Sequence, residues 1–395
     1  MKKNILSVFL ILSGFLVLSC TDNKTAEDQD LSDSHAEESD SNDEDYDNES
    51  DIRPDQESDA ETDEAGDSGN DSAPDPENDA EGDLEPDIEP DIEPDVENSD
   101  DEVEIPSGTT GYEIELPEGG IYKKGFFFTA DVMGDQVDFY VPLSSKDKMS
   151  TVIYLQGAKV DKGFYSIFAK TVSSYGFVVA IPNHSSFSGE NMTENKVFTQ
   201  SWEYIKAQNL KSASYLYNRI ETAKVTVMGH SLGGVAALGV LQNKCEMPTC
   251  TGSYTHPPEL AAAVFYGTNT KNPYLGGIAE VNTGGIPVSF VQGSVDGKAK
   301  YEDAVGTYDK TEGTPVSIVK VLGANHYGIC DFNNPIGAAE DSSLPFLDQT
   351  LGLSVIAKWS GIFLRAHIYG ETEWSDYFYK GQGDSEDVNV EIISK

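Results

Sequence analysis

The chain has 395 residues and a formal net charge of −43. That charge is concentrated: Thr21 to Ile105 hold 38 of the 69 acidic residues against two basic ones, Lys24 and Arg53, whereas residues 106–395 carry 31 acidic and 22 basic side chains. Neither part is basic, which argues against nucleic acid as a partner, and the roughly 290 residues of the second part are enough to bury one large α/β core.

In chain order, the first element is a targeting segment. Lys2 and Lys3 precede an apolar run from Ile5 to Leu18, which ends at Ser19-Cys20. A small residue closing such a run fits a secretory cleavage site, and the run is shorter than the roughly 20 apolar residues of a membrane span. With cysteine directly after it, the segment resembles a bacterial lipoprotein signal. The resemblance implies a signal peptide over residues 1–19, a lipid on Cys20, and a mature chain held at the membrane of the cell envelope. An unlipidated secretory signal or an uncleaved anchor is the plainer alternative.

Residues 20–105 read as a disordered acidic linker. Only one aromatic, Tyr46, falls in this stretch, so little surface can be buried to offset the entropy of ordering. Near its end the pattern Glu-Pro-Asp-Ile/Val repeats three times, from Glu85 to Val96. Proline every fourth residue beside like charges favours an extended chain, as a spacer would require. Asp43, Asp45 and Asp47 alternate, but no glycine and glutamate follow at the positions an EF-hand loop needs.

From residue 106 the composition turns apolar and aromatic. Early strands are predicted at 112–116, 121–129 and 136–141. Nearly continuous apolar runs follow at 151–155, 177–181, 225–228, 261–266, 288–291 and 317–321, as in buried parallel strands. Between them, 164–174, 198–220 and 232–243 suit helices, with a last helix over 351–368. Strand and helix in alternation predict a doubly wound, mostly parallel sheet within one domain, 106–395. Ligands bind such sheets beyond the carboxyl ends of the strands.

One such end carries Gly229-His230-Ser231-Leu232-Gly233, between a β-branched strand and a small-residue helix. Glycines on both sides let strand and helix meet in a sharp turn that presents a serine hydroxyl. A serine capping an ordinary strand-to-helix turn is the competing explanation. In this context the chain resembles the α/β-hydrolase family over roughly residues 110–380. The stretches 152–157, 175–183 and 323–328 look most like the branch that holds chlorophyllases, bacterial polyester hydrolases and platelet-activating-factor acetylhydrolases. The resemblance implies a serine esterase acting on a small-molecule or polymeric ester.

A serine needs a base, and the family's chain order is Ser, then Asp or Glu, then His. Of six histidines only His326 and His367 lie far enough downstream of Ser231; His326 directly follows the last apolar run, while His367 falls in the last predicted helix. Asp296 follows the run 288–291 in a turn before His326, so it is the expected acid; Asp303 and Asp309 lie in more polar sequence. An oxyanion hole needs two aimed N–H donors: Leu232 after the nucleophile and, by resemblance, Ala158 after the strand 151–155. Family members often carry His-Gly where this chain has Gln156-Gly157. Tyr266 and Tyr327 follow strand ends and could line the site or simply fill the core.

No zinc-type cysteine spacing and no glycine-rich phosphate motif are present, so neither metal nor cofactor is expected, and a monomer suffices for this chemistry. With Cys20 assigned to the anchor, Cys245, Cys250 and Cys330 remain. Export permits oxidation, and Cys245–Cys250 is the expected pair, with Cys330 a competing partner for either. The rival functions are an amidase, peptidase or lipase on the same three residues, and a hydrolase-fold binding module without catalysis.

Overall fold

A computed structural model describes residues 103–144, 147–186, 189–272, 274–381, 383 and 387–395, all within the compact unit Asp91–Lys395. The signal segment, Cys20 and the acidic linker up to residue 102 lie outside the described residues.

Among the described residues, twelve strands alternate with six α-helices. The strands are β1 (Thr110–Glu113), β2 (Lys124–Val132), β3 (Asp135–Pro142), β4 (Met149–Leu155), β5 (Phe177–Asn183), β6 (Ile220–His230), β7 (Leu260–Tyr266), β8 (Val281–Asn282), β9 (Val288–Gly293), β10 (Thr311–Glu312), β11 (Val316–Val321) and β12 (Val390–Ser394). The helices are α1 (Ser166–Ser174), α2 (Asn195–Asn209), α3 (Leu232–Leu241), α4 (Tyr301–Asp309), α5 (Gln349–Leu364) and α6 (Thr372–Tyr379). Ten strands form one sheet in the order β1-β2-β3-β5-β4-β6-β7-β9-β11-β12; β8 and β10 pair separately. The six strands from β5 to β11 run parallel, while β1, β2 and β3 pair antiparallel at one edge and β12 at the other.

The central strands are apolar on both faces because each face has its own helices. Side chains alternate across a strand. Val152 and Tyr154 of β4 thus join one core with α1 and α5, while Ile153 and Leu155 join the other with α2 and α3. Likewise β7 gives Val264 to the first core and Phe265 to the second. The result is the doubly wound, mostly parallel sheet that the alternating runs predict, in the arrangement of an α/β-hydrolase fold.

Several boundaries differ from expectation. The helix expected over 198–220 ends at Asn209. Asn209 then closes a loop, its side chain accepting from the Ile220 N–H and donating to the Ile220 carbonyl, so the apolar Leu216 belongs to that loop rather than to a helical stripe. The second strand begins at Lys124 rather than at 121, and the first ends at Glu113. The last helix gives way at Arg365 to a wider turn, Arg365–Tyr369, where His367 donates to or accepts from the Tyr379 hydroxyl at 2.7 Å. Cys245 and Cys250 are disulfide-bonded, with an S–S distance of 2.11 Å, just after α3, and Cys330 is a buried free thiol. No helix among the described residues is long and apolar enough to cross a membrane.

Candidate active site

Ser231 stands between β6 and α3 with φ 54° and ψ −122°. L-residues rarely adopt this combination, which costs on the order of 1–3 kcal/mol and persists only where surroundings enforce it. The surroundings are glycines. A Cβ on Gly229 would strike the backbone of Gly233 and Gly234, and one on Gly233 would strike the carbonyls of Leu155 and Gln156. One on Gly234 would strike the side chain of Thr268. The Ser231 N–H donates to the Tyr266 carbonyl at 2.9 Å, which ties the turn to the end of β7. The start of α3 therefore sits directly against the carboxyl end of β4, with its positive dipole end at the serine.

His326 and Asp296 reach the same point from two other strand ends. His326 Nε2 lies 2.9 Å from Ser231 Oγ, and His326 Nδ1 lies 2.9 and 3.0 Å from the two Asp296 oxygens. Both residues are buried, at 3% and 4% exposure, so the pair is shielded from bulk water. Asp296 accepts further hydrogen bonds from the N–H groups of Lys298 and Ala299 at 2.9 and 2.7 Å and from Gln292 Nε2 at 2.9 Å. The carboxylate is thus oriented with one direction left for the imidazole. Gly267, after β7, backs the pair: a Cβ there would lie 3.0 Å from His326 Nδ1 and 3.2 Å from Asp296 Oδ2.

His230 points the other way, as its place in the motif implies. It is fully buried, with Nε2 at 2.9 Å from the His326 carbonyl and Nδ1 at 3.0 Å from the Tyr165 hydroxyl. A carbonyl only accepts, so Nε2 carries the proton and Nδ1 accepts from Tyr165. The Tyr165 oxygen in turn accepts from the Gly157 N–H at 3.0 Å. Burial, reinforced by the neighbouring His326, holds the His230 imidazole well below the usual histidine range. It therefore stays neutral and adds no charge beside His326. Gly157 is needed here too, because a Cβ would approach His230 Nδ1 at 2.7 Å.

Ala158 and Leu232 lie on either side of the approach between β4 and α3. Leu232 is the first residue of α3, where an N–H has no partner within the helix. Ala158 follows Gly157 in the turn after β4, and the next residue, Lys159, donates from its N–H to the Asn191 carbonyl at 2.6 Å. Gln156 is completely buried in an amide cluster with Asn183 and Asn191, so the departure from His-Gly fills a polar niche behind the turn. Tyr266 and Tyr327 are core residues: their hydroxyls donate to the Asn325 carbonyl at 2.6 Å and to the Ala339 carbonyl, respectively.

The other histidines stay apart from Ser231 in their bonding. His184 is buried between Asp135, at 2.8 Å, and Glu194, at 3.4 Å. His256 bonds its own loop, and His35 lies outside the described residues. Among the described residues no group of three or more His, Cys, Asp or Glu could hold a metal ion. Neighbours of these residues that sequence reasoning missed are Tyr165, Gly267, Gln292 and Asp341, whose carboxylate accepts from the His326 N–H at 3.0 Å. The first three are visible only once the strands are ordered; Asp341 lies in a polar loop with no motif around it.

A family model described as PET hydrolase-like matches residues 130–255. The matched segment runs from the end of β2 through α3 and the disulfide loop. It contains Ala158, Ser231 and Leu232 and stops before Asp296 and His326. A search of curated proteins returns no match. Together with the α/β-hydrolase fold, the match supports carboxylic ester hydrolysis, with a small-molecule or polymeric ester as substrate.

Proposed function

We propose that this carboxylic ester hydrolase works through an acyl-enzyme on Ser231. The hydrogen-bonded chain Ser231–His326–Asp296 carries the reading. His326 Nε2 takes the Ser231 proton as Oγ bonds to the ester carbonyl carbon. The resulting oxyanion is held by the N–H groups of Ala158 and Leu232, and Asp296 orients and stabilises the charged imidazole. The carbon–oxygen bond to the alcohol then breaks, and His326 gives its proton to the leaving oxygen. Water repeats the sequence on the acyl-enzyme and frees the acid.

Apolar esters suit the surroundings best. The segment after His326 exposes Phe332, Ile336, Leu344 and Phe346. It reaches back toward the oxyanion turn, where a Cβ on Gly337 would contact the Lys159 carbonyl. Treatment with a fluorophosphonate probe is expected to label Ser231 and no other residue, and p-nitrophenyl esters of rising chain length should be cleaved with a preference for the longer acyl groups. A wild-type protein that neither reacts with the probe nor cleaves any ester would instead be a binding module on a hydrolase fold.

The run ending at Ser19-Cys20 motivates a second proposal: the mature chain begins at a lipidated Cys20 and is held at the membrane of the cell envelope, with the acidic stretch as spacer. The N-terminal mass of membrane-extracted protein should equal that of a diacylated or triacylated Cys20. A free N-terminus, or retention of residues 1–19, would sink the anchor.

A further inference from the structure

The structure assigns Asp341 a positioning role: one buried carboxylate locks the turn that carries Asp296 to the loop that carries His326. Asp341 is 2% exposed. Its Oδ2 accepts from the Gly297 N–H at 3.2 Å and from the His326 N–H at 3.0 Å, and its Oδ1 accepts from the Ser343 N–H at 2.9 Å. A single oxygen thus bridges the residue next to the acid and the backbone of the base.

The bridge is built rather than incidental. Asn334 grips Asp341 from behind, accepting from its N–H at 2.9 Å and donating to its carbonyl at 3.2 Å. Gly297 leaves room for the carboxylate, because a Cβ there would collide with Asp341 Oδ1 and Ser343 Oγ. Among the described residues, the three hydrogen-bond partners of the carboxylate are backbone N–H groups. A buried carboxylate held by amides alone is costly to keep, so its place between the two loops calls for a role that an apolar filler could not play. That role is to fix the distance between Asp296 and His326 Nδ1 while the imidazole changes charge during each half-reaction. A misplacement of the order of an ångström at such a pair slows catalysis by about 100-fold.

The inference rests on the proposed function of Ser231, His326 and Asp296, and the test separates the two. Asp341→Asn keeps the volume but loses the charge and one acceptor, and turns an NH2 group toward an N–H donor. In the full chain it is expected to lower kcat on a p-nitrophenyl ester by about 10- to 100-fold with KM within about twofold, and to slow fluorophosphonate labelling in step. Independently of turnover, the low-field NMR signal of the His326 Nδ1–H proton should be sharp in the wild type and exchange-broadened in the variant. Asn334→Ala, which keeps the carboxylate, should retain most of the signal. If wild type cleaves no ester, the function fails while the NMR signal still tests the bridge. An Asp341→Asn protein with wild-type kcat and an equally sharp signal overturns the inference. So does one that loses kcat only through global unfolding, seen as a lost cooperative melting transition, since Asp341 would then serve stability alone.

Discussion

Replacing Ser231 by alanine is expected to lower kcat on a simple ester by about 10⁴- to 10⁶-fold, with KM little changed. The loss is large because the alternative nucleophile is water, which has no fixed position against the carbonyl. The residual rate should come from the N–H groups of Ala158 and Leu232, which a Ser231→Ala change leaves in place. His326→Ala should cost about as much. The double variant should cost little more than either, because serine and imidazole, 2.9 Å apart, act as one unit. Steady-state kinetics on one chromogenic ester decides the matter. Wild-type turnover by the Ser231→Ala protein would end the acyl-enzyme mechanism, and additive losses in the double variant would end the assignment of His326 as its base.

Gly233→Ala should also be damaging, to a smaller degree and for a different reason. Within a helix this substitution ordinarily stabilises by about 1 kcal/mol. Here the new methyl would strike the carbonyls of Leu155 and Gln156, both backbone and unable to swing aside. Either α3 retreats from β4 or the turn after β4 moves, and each shift separates Leu232 from Ala158. The expected result is a stability loss of about 1–3 kcal/mol together with a kcat loss of roughly 100-fold or more. Chemical denaturation and ester kinetics on the same preparation test both. A Gly233→Ala protein of raised stability and undiminished kcat would contradict the close approach of α3 to β4.

How much was legible beforehand follows from the kind of signal each residue carries. Ser231 is written locally: the turn needs glycines at fixed offsets, between a β-branched strand and a small-residue helix. His326 and Asp296 are legible from chain order and from their places after apolar runs, because buried parallel strands announce themselves by composition. Helix α4, by contrast, is short and polar in its first turn, with Glu302 and Asp303, and gives no long apolar stripe. Strand β12 is half exposed at the sheet edge and lacks the continuous apolar run of a central strand. The end of α2 depends on the Asn209 side chain, which competes with the helix for backbone partners in a way that periodicity does not register. Asp341 is hardest of all. Its meaning lies wholly in two backbone N–H groups, 44 and 15 residues away in the chain, and no pattern around it points there.

Nothing local would keep a serine at φ 54° and ψ −122°; only β4, β7 and α3, packed together, hold it there. On the proposed mechanism, the reactivity of this hydroxyl is therefore a property of the native state and disappears with it. Covalent titration of Ser231 should then double as a head count of correctly folded molecules in any preparation, whatever ester is used as substrate.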